Sequence, residues 1–219
     1  MTATPHPRAP AARADKEQSL AARYDAAAPK WHDKMRALGY YDGYLGFLSE
    51  PGHAPVPQAR VLDIGAGTGA MAEAWVAVHG APAEMTLLDP SAAMLDSAVG
   101  ALRRHGVEAR AVAAGLEQAD GLPLADEVLA AHLIEHFDDA SAALALLRAR
   151  LKPDGRLRLV VSKPHWCNAI VWLRWRHRCY TPPAVRALLR DAGFALEMEY
   201  AFPSGPPSRT SRGYVARPV

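Results

Sequence analysis

The chain has 219 residues, of which 50% are hydrophobic and 22% are charged, and its formal net charge at pH 7 is +2. This length and balance predict one globular domain with appendages and exclude a disordered chain. Two cysteines cannot build a disulfide framework, and no apolar run is long enough to span a bilayer, so we expect a cytoplasmic protein without a transmembrane segment.

The chain divides into three predicted segments. A disordered lead-in comes first, N-terminal helices with a linker form a lid next, and the main domain follows: residues 1–15, 16–58 and 59–219. In the second segment a helical pattern ends at Leu38 and is broken by Pro29, so two short helices are expected. Ser49–Gln58 is rich in proline and glycine, which indicates the linker.

The main domain alternates strand patterns with helical patterns. Strands are predicted in ARVLDIG, EMTLLD, VEARAVAAG, EVLAAHLIEHF, RLRLVVSKP, FALEMEYAF and SRGYVARPV. Helices are predicted in AMAEAWVAVHG, SAAMLDSAVGALRRHG, DDASAALALLRARLKPDG and TPPAVRALLRDAG, with Ser91 and Thr181 as N-caps of the second and fourth. Such alternation implies crossover connections. The predicted fold class is α/β, a doubly wound, Rossmann-like, mostly parallel seven-stranded sheet with an N-terminal helical appendage.

Three glycines follow the first predicted strand in VLDIGAGTG: Gly65, Gly67 and Gly69. A glycine-rich turn between a strand and a helix lets a ligand lie against bare backbone. The spacing is not the G-x-G-x-x-G of dinucleotide binders, so an oxidoreductase is disfavoured. Asp63 would repel a pyrophosphate, but it suits a ligand that carries a cationic ammonium or sulfonium group.

The VLDIGAGTG stretch resembles the first motif of class I S-adenosylmethionine-dependent methyltransferases. Further segments resemble the ubiquinone/menaquinone-biosynthesis-like (methyltransferase type 11) branch in chain order: YDAAAPKWHD, LLDPSAAML, GLPL, AAHLIEHFDD, LLRARLKPDGRLRLVV and LLRDAGF. The resemblance implies S-adenosylmethionine as cofactor and S-adenosylhomocysteine as product. No metal is expected, because the sequence has no evident cluster of metal ligands. The resemblance also implies methyl transfer to a small-molecule acceptor by in-line displacement. The main contribution of the protein would be to hold donor and acceptor close together and aligned.

The resemblance further implies roles for the cofactor-binding residues. The three glycines would shape the loop beside the methionine moiety, with Asp63 near its amino group. Asp89 would hold the ribose hydroxyls, and Met94 or Leu95 would flank the adenine. Glu117 would substitute for an acid that the family often has directly after the third strand. In full, the expected cofactor-binding residues are Asp63, Gly65, Gly67, Gly69, Asp89, Met94, Glu117, Tyr24 and Trp31.

Tyr24 and Trp31 belong to the segment that folds over the cofactor in the similar branch. Their spacing is also helical, so core packing is an equal alternative to a lid. His132 lies near the end of the fourth predicted strand, where an imidazole is a candidate general base. His136 is a candidate for substrate contact, and a structural role for Glu135 and His136 at a helix start is the alternative.

The segment Lys163–Tyr180 follows the fifth predicted strand and interleaves tryptophans with arginines. We expect Trp172 and Arg174 to contact the acceptor. Core packing and weak contact with a membrane surface are the alternatives. Nucleic acid is not expected, because the rest of the chain has no basic excess. The rival function is a non-catalytic cofactor-binding or interaction protein on the same fold.

Overall fold

The computed structural model describes residue 25, residues 31–165 and residues 178–219. Its centre is one seven-stranded sheet in the order β3-β2-β1-β4-β5-β7-β6. The strands are β1 Arg60–Ile64, β2 Glu84–Asp89, β3 Ala109–Ala113, β4 Ala125–Ala131, β5 Leu151–Ser162, β6 Phe194–Tyr200 and β7 Ser211–Pro218. The seven predicted strands and the fold class are thereby confirmed.

The strand order reverses next to β1. This strand pairs in parallel with β2 on one side and with β4 on the other, while β3 and β5 continue the parallel sheet outward. Only β7 runs antiparallel to its neighbours in the described sheet, between β5 and β6. In an open α/β sheet ligands bind beyond the carboxyl ends of the strands where the order reverses, which is the edge formed here by β1 and β4.

Six α-helices have bounds within the described residues. They are α1 Tyr40–Leu48, α2 Ala70–His79, α3 Ala92–Arg103, α4 Ala140–Arg148, α5 Pro182–Asp191 and α6 Gly205–Thr210. Two 3-10 helices span Leu116–Gly121 and Ile134–His136, and residues 31–37 are also helical. None of the described helices is both long and apolar enough to cross a membrane.

Two hydrophobic layers cover the sheet. One layer packs α1, α2 and α3 against it, with Phe47, Trp75 and Leu102 among its buried side chains. The other packs α4 and α5, with Leu144 and Leu189 buried. Burial of a large apolar side chain stabilises the fold by roughly 1.5–3 kcal/mol, so these layers hold the helices in place.

Side-chain caps set the starts of three helices. The Ser91 hydroxyl accepts from the Met94 N–H, and the Thr181 hydroxyl accepts from the Ala184 N–H, so both predicted caps are confirmed. Asp139 caps α4 in the same way by accepting from the Ser141 N–H. Each cap satisfies a backbone donor that the helix leaves without a partner.

The structure corrects two boundaries of the sequence analysis. The third predicted helix of the main domain, α4 in the structure, stops at Arg148 instead of continuing to the Pro–Gly signal, because β5 already begins at Leu151 and pairs with Ala125. The helix α1 lies beyond Leu38, where no helix was predicted. Gly43 and Gly46 weaken the helical signal in this stretch, as glycine does in any helix interior.

Close packing explains those two glycines. A Cβ at Gly43 would lie 3.0 Å from Cδ1 of Phe202, and one at Gly46 would lie 2.6 Å from the hydroxyl of Tyr200. Glycine therefore lets α1 approach the end of β6 closely. The helix is stabilised by this burial and not by its intrinsic propensity.

Candidate active site

The glycine loop joins β1 to α2 at the switch point of the sheet. Its three glycines all have positive φ angles, and the Gly65 and Ala66 N–H groups donate to the Leu88 carbonyl of β2. An added Cβ would lie 2.8 Å from Leu133 at Gly65 and 2.8 Å from Ala98 at Gly69, whereas at Gly67 it would meet no atom of the described residues within 4 Å. The outer two glycines thus serve packing, and Gly67 faces open space.

Asp89 ends β2 and holds this loop in place. Its Oδ2 accepts from the Gly67 N–H and its Oδ1 from the Ser91 N–H, both at 2.9 Å. Burial raises the pKa of the Asp89 carboxyl, while the two N–H donors act in the opposite direction. The carboxylate is therefore anchored beside Gly67 at the edge of the sheet.

Asp63 lies in β1 and is 1% exposed. Burial, together with the nearby charge of Asp89, raises its pKa to about 7, against the opposing hydrogen bond from the Ala72 backbone. Its Oδ2 is buried and has no hydrogen-bond partner among the described residues. A buried carboxylate oxygen without a donor is costly, which favours a cationic ligand group beside it.

The remaining predicted cofactor residues lie on α3, on the 3-10 helix after β3 and in the N-terminal segment. Met94 and Leu95 are buried in the first turn of α3, and the Met94 N–H donates to the Ser91 hydroxyl at 3.2 Å. Glu117 is half-buried in the 3-10 helix after β3. Tyr24 lies outside the described residues.

Trp31 is half-buried and begins the described helical residues 31–37, with Lys34 Nζ 5.6 Å from its ring centroid. Arg36 in the same segment contacts the buried carboxylate of Glu73 on α2 at 2.7 Å. Burial would raise the pKa of Glu73, but the hydrogen bonds from Arg36 and His105, together with the charges of Arg36 and His32, outweigh it and lower that pKa. The N-terminal appendage is thus attached to the helix that the glycine loop begins.

His132 follows β4 directly and adopts a φ of 56°. Its Nδ1 lies 2.8 Å from the Ser162 hydroxyl at the end of β5 and 3.3 Å from Oε1 of Glu135. The Tyr40 ring of α1 meets the imidazole edge-on, with 5.5 Å between the centroids. The structure therefore places the candidate base where three elements converge.

The turn that carries His132 lies against the glycine loop. The next residue, Leu133, packs against Gly65. Burial raises the pKa of the Tyr44 hydroxyl of α1 well above its usual value, and the charges of Tyr40, Asp63 and Glu135 act in the same direction. His132 thus lies on the same edge of the sheet as the glycine loop.

The predicted acceptor residues are only partly described. His136 ends the 3-10 helix after His132 and is half-buried, with its N–H donating to the Leu133 carbonyl at 3.1 Å. Trp172 and Arg174 lie outside the described residues. Within the described ranges no group of three or more His, Cys, Asp or Glu side chains is arranged to hold a metal ion.

Sequence reasoning missed four residues of this region. Ser162 could have been found as a polar residue at the end of a buried strand, and Asp25 lies in a segment already similar to the family. The Ser91 hydroxyl donates to Asp25 Oδ1 at 2.5 Å. Tyr40 and Thr210 gave no signal, because their partnership, at 2.9 Å between the hydroxyl oxygens, joins distant parts of the chain.

Comparison with known proteins identifies the class. The model of the Methyltransferase domain family matches residues 17–199, and the chain belongs to this family. The assignment to the class I S-adenosylmethionine-dependent methyltransferases is thereby confirmed, while the narrower ubiquinone-like branch stays a prediction. A sequence search of curated proteins finds no match.

Solved structures of similar fold include three methyltransferases. One is the 1,6-didemethyltoxoflavin-N1-methyltransferase of Burkholderia thailandensis with 1,6-didemethyltoxoflavin and S-adenosylhomocysteine (TM-score 0.71, 21% identity, covering 100% of this chain and 93% of that one). Another is the N-methyltransferase NodS of Bradyrhizobium japonicum with S-adenosylhomocysteine (TM-score 0.68, 18% identity, covering 93% of this chain and 98% of that one). A further one is the magnesium protoporphyrin IX methyltransferase of Synechocystis with S-adenosylhomocysteine (TM-score 0.64, 18% identity, covering 84% of each chain). At these identities the likeness concerns the fold.

Proposed function

We propose that this protein transfers a methyl group from S-adenosylmethionine to a small-molecule acceptor. The observation that carries the proposal is the buried Oδ2 of Asp63, which has no partner among the described residues and lies near Asp89 at the glycine loop. The α-ammonium of the donor fits that carboxylate, and the open space at Gly67 leaves room for the methionine moiety. The donor supplies an electrophilic methyl group on a sulfonium.

The residues of this chain bind and orient the two reactants. Asp89 receives the ribose hydroxyls, and Met94 with Leu95 flanks the adenine, with Glu117 near its amino group. Trp31 and Tyr24 cover the cofactor from the N-terminal segment, which the Arg36–Glu73 ion pair supports as a lid. His132 takes up a proton from the acceptor, and His136, Trp172 and Arg174 contact the acceptor. Alignment of the reactants supplies several kcal/mol of barrier reduction.

Transfer of labelled methyl groups tests the function. The protein is incubated with S-adenosylmethionine labelled in its methyl group and a metabolite extract, and labelled products are separated. We expect label in a small molecule. Tight binding of the donor without transfer to any acceptor would instead support the rival, a non-catalytic binding protein on the same fold.

Asp89→Ala is expected to weaken donor binding by about 1–3 kcal/mol, because the ribose hydroxyls lose a buried acceptor. Calorimetry measures the dissociation constant. Asp96→Ala is the matched control, since Asp96 is exposed on α3 and distant from the caps of that helix. An unchanged dissociation constant in folded Asp89→Ala would remove Asp89 from the ribose site.

Joint replacement of Trp172 and Arg174 by alanine is expected to raise the acceptor KM or lower turnover, with donor affinity nearly unchanged. The indole would exclude water and the guanidinium would attract an anionic group of the acceptor. Arg190→Ala, at an exposed site on α5, is the control. Loss of donor binding and of melting temperature together would mean core packing, and salt-sensitive co-sedimentation with anionic vesicles would mean membrane contact.

A further inference from the structure

We propose that Glu135 and Ser162 position the His132 imidazole as a base, and that the acceptor carries a weakly acidic O–H or N–H group. This inference rests on the proposed methyl transfer. It assigns a positioning role to Glu135, and it narrows the acceptor class to groups that lose a proton as they are methylated.

Hydrogen bonding determines which imidazole nitrogen carries the proton. The Nδ1 of His132 lies within reach of the Ser162 hydroxyl and of Oε1 of Glu135, and the same Oε1 accepts from the Ser162 N–H at 2.6 Å. An ionised carboxylate only accepts hydrogen bonds, so it holds a proton on Nδ1. The lone pair of the neutral ring is then on Nε2, which points away from Glu135 and is buried.

The backbone at His132 adopts a positive φ angle, which is uncommon for residues other than glycine. Among the described residues, only Gln58 and His132 are non-glycine residues with positive φ. Such a conformation costs of order 1 kcal/mol or more and persists where its surroundings enforce it. Here the His132 N–H donates to the Val160 carbonyl at 2.8 Å, which fixes the turn after β4.

Tyr40 holds the ring from the opposite side. Its ring edge meets the imidazole, and its hydroxyl is fixed by Thr210 just before β7. Among the described residues, the titratable side chains that contact His132 include Glu135 from the 3-10 helix and Tyr40 from α1. Lys163 follows Ser162 on the strand, with its Nζ donating to the Ser208 carbonyl at 2.7 Å.

This arrangement suits an acceptor that must be deprotonated. The acceptor oxygen or nitrogen forms its bond to the methyl carbon, the methyl–sulfur bond breaks with its electron pair remaining on sulfur, and the acceptor proton moves to Nε2. The Glu135 carboxylate stabilises the resulting imidazolium, which later releases its proton to water. A tertiary amine or an already ionised acceptor has no proton to lose and would need no such pair.

Nitrogen NMR of the protein labelled with ¹⁵N-histidine, free and with S-adenosylhomocysteine, tests the positioning directly. The missing signals of His132→Gln assign the residue. We expect the Nδ1–H tautomer in the wild type and a loss of that preference in Glu135→Gln, because the amide of glutamine can donate as well as accept hydrogen bonds. Glu108→Gln, at a carboxylate 78% exposed, is the matched control and should leave that preference unchanged.

The same variants are compared in methyl transfer from labelled donor to the metabolite extract between about pH 6 and pH 9. In Glu135→Gln we expect the acid limb of the rate profile to move to lower pH and the maximal rate to fall about 100-fold, with donor affinity unchanged. If Glu135→Gln does not fold, Glu135→Asp is used, and its shorter carboxylate should shift the His132 tautomer population away from Nδ1–H.

Three outcomes would overturn the inference: an unchanged His132 tautomer in the variant, a pH profile equal to that of Glu108→Gln, or full activity in His132→Gln. In each case labelled methyl transfer by the wild type would still support the proposed function. If the wild type transfers no label to any acceptor, the proposed function fails, and the acceptor class inferred here fails with it. The NMR measurement of the His132 tautomer then tests the positioning role of Glu135 independently of methyl transfer.

Discussion

Gly67→Val is expected to reduce binding of S-adenosylmethionine at least about 100-fold, or about 2.7 kcal/mol, while the protein stays folded. Within the part of the chain that the structure describes, no atom lies within 4 Å of a Cβ at this position, so the added side chain enters the space proposed for the methionine moiety. The φ of 52° also disfavours a β-branched residue. Calorimetry and thermal melting measure the two effects separately.

Gly69→Ala is the matched comparison within the same loop. A Cβ there would lie 2.8 Å from the Ala98 Cβ and 3.0 Å from its Cα, both on α3. This variant should therefore lose melting temperature more than Gly67→Val does. Normal donor binding in a folded Gly67→Val protein would show that the loop is only a turn and would contradict the proposed function.

Donor affinity is expected to depend on pH through Asp63. The pKa of this carboxyl is raised to about 7 in the free protein, and a bound ammonium group would lower it. Binding then releases a proton, so affinity should increase with pH up to about 7 and level off above it. Between pH 8 and pH 6 the dissociation constant should rise about tenfold.

Asp63→Asn provides the control, because its amide cannot ionise and any remaining pH dependence belongs to the ligand or to other groups. The stability of the free protein should change in the opposite direction. The raised pKa means that Asp63 contributes stability below its unfolded pKa of about 3.9, and that this contribution is lost as pH rises towards 7. Equal pH dependence of donor binding in the wild type and Asp63→Asn would contradict the assignment.

The sheet could be predicted from the sequence because each strand is a short apolar run between turn signals. The loop from Val61 to Gly69 and the acidic end of β2 were also readable, since their residue types and spacing are local. The expected caps at Ser91 and Thr181 required only neighbouring residues. Signals of this kind depend only on residues that are neighbours in the sequence, so they can be recognised before the fold is known.

The acceptor side could not be predicted in the same way. Tyr40 meets His132 and Thr210 only after the sheet has formed, and no pattern in the sequence links these three residues. Helix α1 has a weak propensity because its glycines serve contacts with β6. The sequence indicates only a structural role for Glu135. The hydrogen bond that Glu135 accepts from the Ser162 N–H comes from β5, which lies further along the chain and is not a local signal.

The reversed direction of β7 has a consequence for the assembly of the site during synthesis. Its first residue, Ser211, pairs with Ser162, so the start of a late strand lies beside the end of an earlier one. The glycine loop follows β1 and Asp89 ends β2, and both of these strands leave the ribosome much sooner. Thr210, whose hydroxyl lies beside that of Tyr40, is synthesised after all of these strands. If the proposed site residues are correct, a nascent chain acquires the donor-binding residues before Thr210 is in place, so donor binding is available to assist the later folding steps.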